Sequence, residues 1–120
     1  MTNVLLATDA DWLFDDVVAS LGGSYDIHRV RAGADVLPAL GSVDADLIIL
    51  DLQIGSMGGV ATSLLVKQEM RAGRLDDTPV LLLLDREADE YLAGTSTADS
   101  WLVKPLNSLL LRRTATELIV

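Results

Sequence analysis

Short, almost wholly apolar runs that recur along the chain constrain its fold more than any other feature. Val4 to Ala7, Leu47 to Leu50 and Val80 to Leu84 are bounded by acids or glycines, and a fourth run, Ser100 to Val103, stops at Lys104-Pro105. Each is too short for a helix and too apolar for a strand with one wet face, so each reads as a strand buried on both faces. A weaker segment, Tyr25 to Arg31, puts Tyr25, Ile27 and Arg29 on one side and Asp26, His28 and Val30 on the other, and predicts a less buried strand. Helical spacing fills the gaps. Leu13, Phe14, Val17, Val18 and Leu21 run to a stop at Gly22-Gly23, and Val60, Ala61, Leu64 and Leu65 lead toward Gly73. Leu109, Leu110, Arg113 and Leu118 follow the N-cap candidate Asn107. Val36, Leu37 and Leu40 predict a short helix with Pro38 in its first turn and Gly41 as its breaker, and residues 86 to 93 predict another. Five strands alternating with five helices predict an α/β domain: a single parallel sheet, doubly wound, because parallel neighbours need crossovers and these are almost always right-handed.

The 120 residues match one domain, which commonly takes about 100 to 200, and the expectation is a single domain over 1–120 with no output domain. A chain of this size buries roughly two thirds of its unfolded surface, enough for a core without staples. It has no cysteine, which excludes disulfides, thiolate metal sites and thiol nucleophiles, and leans toward the cytoplasm. The formal charge of −9 repels polyphosphate and anionic lipid, so direct nucleic-acid or membrane binding is not expected. No apolar run approaches the ~20 residues needed to span a bilayer. Met1-Thr2-Asn3 lacks the basic start of a signal peptide.

Ligands of such sheets bind outside the carboxyl ends of the strands, where the strand order reverses. The residues there are Thr8 and Asp9, Asp51, Leu84 and Asp85, and Lys104. Carboxylates and an ammonium converging on one crevice suit a divalent cation and a phosphoryl group.

The strings Asp46-Leu47-Ile48-Ile49-Leu50-Asp51-Leu52-Gln53, with Met57 and Gly59 beyond, and Ala98-Asp99-Ser100-Trp101-Leu102-Val103-Lys104-Pro105 resemble the receiver domain of two-component response regulators. With the strand after Pro79 and the acidic end of the first strand, the resemblance covers essentially the whole chain. It implies a flavodoxin-like (βα)5 fold with strand order 2-1-3-4-5. It also implies that Asp51 is the phosphoacceptor, that Lys104 binds a phosphoryl oxygen, and that Asp9, Asp51 and the backbone carbonyl of Gln53 hold Mg²⁺. Pro105 matches a proline that in this family often follows a cis bond. A histidine kinase or phosphotransfer protein would be the donor, and a protein partner of unknown identity the recipient of the signal. Such a domain is no enzyme beyond self-phosphorylation from phosphodonors and autodephosphorylation.

Departures from the family pattern cluster at the same strand ends. Thr8 stands where the first of two adjacent acids is usual, and Asp11 is expected to open the first helix rather than replace it. Leu84 stands where a Thr or Ser usually contacts the phosphoryl group and relays the switch. Asp85 replaces a small alanine; it adds repulsion to a dianion or restores metal charge. Trp101 takes the place of a smaller aromatic, is expected half-buried, and carries an N–H that needs a partner. Gly55 and Gly58 replace the usual proline and aspartate of the loop after Asp51, and the stretch from Leu84 to Lys104 is short, which predicts a short or irregular fourth helix.

Two other readings compete. A receiver-shaped interaction module could signal by docking, without phosphate. Asp9-Ala10-Asp11 is also similar to the D-x-D of haloacid-dehalogenase-type phosphatases, with Asp9 as nucleophile and Asp11 as general acid, although Trp12 and the chain length speak against it. Asp9 could also cap the first helix. His28 reads as a strand residue, and Asp15, Asp16, Asp76, Asp77, Arg112 and Arg113 as solvated faces. The expectation is an atypical receiver with Asp51 as phosphoacceptor, a weakened metal site and a weakened switch.

Overall fold

The computed structural model describes residues 2–55 and 57–119; Met1 and Val120, the limits of the expected domain, and Ser56 lie outside the described residues. The chain runs β1 (Asn3–Ala7), α1 (Asp11–Leu21), β2 (Asp26–Val30), α2 (Val36–Leu40), β3 (Leu47–Asp51), α3 (Gly59–Arg71), β4 (Val80–Leu84), α4 (Glu90–Thr95), β5 (Ser100–Val103) and α5 (Ser108–Ile119). The strands form one parallel sheet in the order β2-β1-β3-β4-β5, as the periodicity and the resemblance together predict.

Alternation along the inner strands divides the core. Leu5, Ala7, Ile48, Leu50, Val80, Leu82 and Leu84 face one way and pack under Val36 of α2, Val66 and Met70 of α3 and Ala93 of α4. Val4, Leu6, Leu47, Ile49, Leu81 and Leu83 face the other way, beneath Leu13, Val17 and Leu21 of α1 and Leu111 and Ala115 of α5. All of β3 and β4 is buried. Each fully buried Leu or Ile contributes about 1.5–3 kcal/mol by leaving water, which is why these runs tolerate no solvent face. The edge strands β2 and β5 are only partly buried.

Helix boundaries follow local chemistry. Asn107 caps α5, its Oδ1 accepting the Leu110 N–H at 3.0 Å. The N-cap of α1 is Ala10, without a side-chain bond, so Asp9 does not cap it. The expected short helix at 86–93 is a 3₁₀ turn at Glu87–Asp89 followed by the six residues of α4. Gly59 is required: a Cβ there would lie 2.6 Å from the Asp51 carbonyl, so only glycine lets α3 start this close to the end of β3. Asp15, Asp16, Asp76, Asp77, Arg112 and Arg113 are exposed.

Candidate functional site

The strand order reverses between β1 and β3, whose ends pair through Ala7 and Leu50. The ladder continues past the strands and positions the backbones that follow: Thr8 N–H donates to the Val30 carbonyl at 3.0 Å, Leu52 N–H to that of Leu83 at 3.0 Å, and Lys104 N–H to that of Leu84 at 2.8 Å. Four side chains then meet at the carboxyl end of the sheet: Thr8, Asp51, Asp85 and Lys104.

Asp51 is the last residue of β3 and is 2 % exposed. Its Oδ1 accepts from Lys104 Nζ at 2.6 Å and from the Gln53 N–H at 3.1 Å. Its Oδ2 accepts from the Thr8 hydroxyl at 2.7 Å. Both oxygens are therefore satisfied from within the chain, as a buried carboxylate requires. Thr8 is fully buried and also accepts the Ala10 N–H at 3.1 Å through its Oγ1. The residue that replaces an acid thus does more than remove a charge: it ties down the carboxylate beside it.

Lys104 reaches in from the end of β5, across the cis Lys104–Pro105 peptide bond from its proline. Its ammonium is shared between Asp51 and Asp85, the latter at 2.8 Å through Oδ1. Burial is the largest single influence on its pKa and pulls it down, but hydrogen bonds and charges from Asp51 and Asp85 together win and hold it above the ordinary lysine value. The Trp12 ring, 53 % exposed, lies over this ammonium with its centroid 6.0 Å away, at the outer limit of a cation–π contact.

Asp9 is exposed at the rim, and its Oδ2 lies 3.4 Å from where a Cβ on Gly55 would stand. The two carboxylates on the lysine are Asp51 and Asp85. No group of three or more His, Cys, Asp or Glu side chains placed to hold a metal occurs among the described residues. Asp11 opens α1 as expected, and its Oδ1 is taken by Arg29 at 2.9 Å and Arg31 at 3.2 Å. The hydrogen bond from Arg29, then that from Arg31, holds this exposed carboxyl below the usual range, which does not suit a general acid.

The two switch positions face the interior. Leu84 is fully buried, and Trp101 packs against the same apolar cluster while remaining part-exposed. The indole N–H finds its partner in Glu90 of α4, Nε1 to Oε2 at 3.1 Å. That bond, the Thr8 and Asp85 contacts, and Arg29, whose Nε donates to the Thr8 carbonyl at 3.1 Å, were not legible in the sequence. For Arg29 a signal existed: it sits one register step from the end of β2, paired with Leu6 of β1, and so beside the site. A separate cleft of about 290 Å³, lined in part by Leu40, Val43, Met70 and Leu75, opens near the start of β4 and touches none of these residues.

No family model matches the chain. A curated relative, the transcriptional regulatory protein YvrH of Bacillus subtilis (strain 168), is 26 % identical over 111 residues, which make up 89 % of this chain and 44 % of that protein. The chain thus spans less than half the length of the curated relative it matches. Among solved structures, the chemotaxis response regulator CheY4 of Vibrio cholerae is 25 % identical, with a TM-score of 0.83 over 100 % of this chain and 99 % of that one. The receiver domain of the sensor histidine kinase PA1611 from Pseudomonas aeruginosa PAO1, solved with a magnesium ion in its active-site cleft, is 20 % identical with a TM-score of 0.77, covering 98 % of this chain and 97 % of that one. The strand order β2-β1-β3-β4-β5 agrees with these likenesses, and over its whole length the chain is similar to receiver domains of the response-regulator type.

Proposed function

We propose that this receiver accepts a phosphoryl group on Asp51 from the phosphohistidine of a histidine kinase or phosphotransfer protein, and signals through a protein partner with a weakened switch. The observation that supports this best is the buried Asp51 carboxylate with Lys104 Nζ 2.6 Å from its Oδ1 at the open end of the sheet. In the reaction a carboxylate oxygen attacks phosphorus, the P–O bond forms as the P–N bond breaks, and the imidazole leaves with the bonding pair. The attacking oxygen must first shed a donor. Oδ2 is held by one neutral hydroxyl and Oδ1 by an ammonium and an N–H, so Oδ2 is the cheaper to free. Lys104 then offers its charge to a phosphoryl oxygen.

Asp9, Asp51 and the Gln53 carbonyl are hard oxygen donors of the kind Mg²⁺ prefers, and they fit that ion. One acid fewer than usual and the Thr8 O–H on Asp51 Oδ2 make the site a weak one. Bound there, the ion would supply positive charge against the incoming phosphate.

The weak switch rests on Leu84, which has no hydroxyl to favour one state when phosphate arrives, and on Trp101, which is tied to Glu90. A second reading, a module that docks without ever being phosphorylated, is favoured by one observation: both Asp51 oxygens are already bonded. The two readings part in an intact-mass measurement after incubation with a small phosphodonor and Mg²⁺. A gain of one phosphoryl group, lost in Asp51→Asn, supports the first. An unchanged mass supports the second, and labelling that survives Asp51→Asn but vanishes in Asp9→Asn would bring back the phosphatase-like reading.

A further inference from the structure

Asp85 occupies the place on Lys104 that a phosphoryl oxygen would need. Its Oδ1 lies 2.8 Å from the ammonium of Lys104, whose side chain is only 10 % exposed. The other oxygen, Oδ2, is buried without a hydrogen-bond partner. A carboxylate oxygen enclosed in this way is held at a cost, and the ammonium is what holds it. The side chain as a whole is 27 % exposed and sits at the rim, directly after the last residue of β4, so rotating outward would return both oxygens to water. Asp51 is held more firmly, because its two oxygens take three donors, one of them the Gln53 backbone.

We propose that Asp85 is a built-in stand-in for the phosphoryl group: it neutralises Lys104 in the resting domain and must leave before phosphate can be accepted, so that it sets how readily Asp51 is phosphorylated. The inference rests on Asp51 being the phosphoacceptor. Two effects give it its sign. A carboxylate on the lysine repels an incoming dianion in a crevice that screens charge poorly, and it uses one of the three ammonium hydrogens that would bind the phosphoryl oxygens. A phosphoryl group, with more charge and three strong acceptor oxygens, wins the lysine once Asp85 has swung out. A role for Asp85 as a metal ligand makes the opposite prediction, because removing it would weaken Mg²⁺ binding and slow labelling.

The test compares the full chain with its Asp85→Asn and Asp85→Ala variants, each first checked for a dispersed amide NMR spectrum. With acetyl phosphate and Mg²⁺, followed by intact mass, both variants should label at least about tenfold faster than the parent, and the advantage should shrink as salt screens the repulsion. Beryllofluoride should also bind the variants more tightly. Equal or slower labelling of the variants overturns the proposal, as does a loss of Mg²⁺ affinity in a titration without phosphodonor, which would make Asp85 a metal ligand. If neither parent nor variants label or bind beryllofluoride, the phosphoacceptor reading itself fails and the gate falls with it.

Discussion

Two lysine–aspartate pairs of equal length, 2.6 Å, sit at opposite ends of the same sheet, and they are built for different ends. Near the start of β4 and β5, Asp99 Oδ2 accepts Lys67 Nζ and also the Val80 N–H at 2.7 Å, while Lys67 reaches the Thr78 carbonyl at 3.3 Å. That pair completes backbone hydrogen bonding where β4 begins, and it is open to water, its side chains being 18 % and 39 % exposed. At the carboxyl end, the side chains of Lys104 and Asp51 are 10 % and 3 % exposed and are held mostly by other side chains. Bonds to backbone cannot be traded without unravelling the strand, whereas bonds between side chains can be exchanged for a ligand. An ion pair alone says little about function; what else its members hold decides it.

The most forceful way to break this comparison is to neutralise each aspartate in turn. Asp51→Asn should reduce phosphodonor labelling to background, whereas Asp99→Asn should label like the parent while unfolding at lower urea; labelling lost equally in both would mean that folding, not the strand-end site, is being read.

Truncating the lysines should separate the pairs by stability. Lys104→Ala leaves a buried carboxylate short of its cation, a loss of about 3–5 kcal/mol when a buried pair is broken, toward the lower end here because Thr8 and Gln53 still donate to Asp51. Lys67→Ala breaks an exposed pair and should cost about 0–1 kcal/mol. Chemical denaturation of both variants measures the gap, and equal losses would refute it. The pH dependence has a defined sign. Lys104 has a raised folded-state pKa, so its contribution is complete below the ordinary lysine value of 10.5 and is lost as pH rises through the higher folded value. The alkaline loss of stability should therefore be smaller in Lys104→Ala than in the parent.

Next in size is the switch. A hydrogen bond to a charged group is worth about 1.5–3 kcal/mol, roughly a tenfold to hundredfold bias between states, and Leu84 cannot supply it. Beryllofluoride should shift amide resonances near Asp51 and leave most of residues 84–110 in place, and Leu84→Thr should spread the response toward Trp101. Large shifts through that stretch in the parent would show that the coupling runs through packing instead.

The smallest expected effect comes from Thr8→Asp, which exchanges a donor on Asp51 Oδ2 for a second buried carboxylate. Without metal the domain should be less stable, because like charges are then buried together; with Mg²⁺ the variant should bind the ion more tightly than the parent and recover. Calorimetric titration that finds no gain would mean that the crevice draws its negative charge from elsewhere.

Much of this molecule was legible from residue order because burial is a local property. An all-apolar run such as Val80 to Leu84 has one stable home, a strand covered on both faces, and Asn107 ahead of a helical pattern announces a cap wherever the helix later packs. Strand-end counting likewise brought Thr8, Asp9, Asp51, Leu84, Asp85 and Lys104 to one end of the sheet. Which of them bond was a different matter. Thr8 and Asp51 are 43 residues apart, and Lys104 is 53 from Asp51 and 19 from Asp85. Several donors and acceptors of similar strength compete there, and differences of about an ångström in register and rotamer choose among them, since hydrogen bonds weaken steeply outside their narrow range. Only the tertiary structure could leave Asp9 at the rim, give Asp11 to two arginines, tie the Trp101 indole to Glu90, and place Asp85 on the lysine that a phosphoryl group would need.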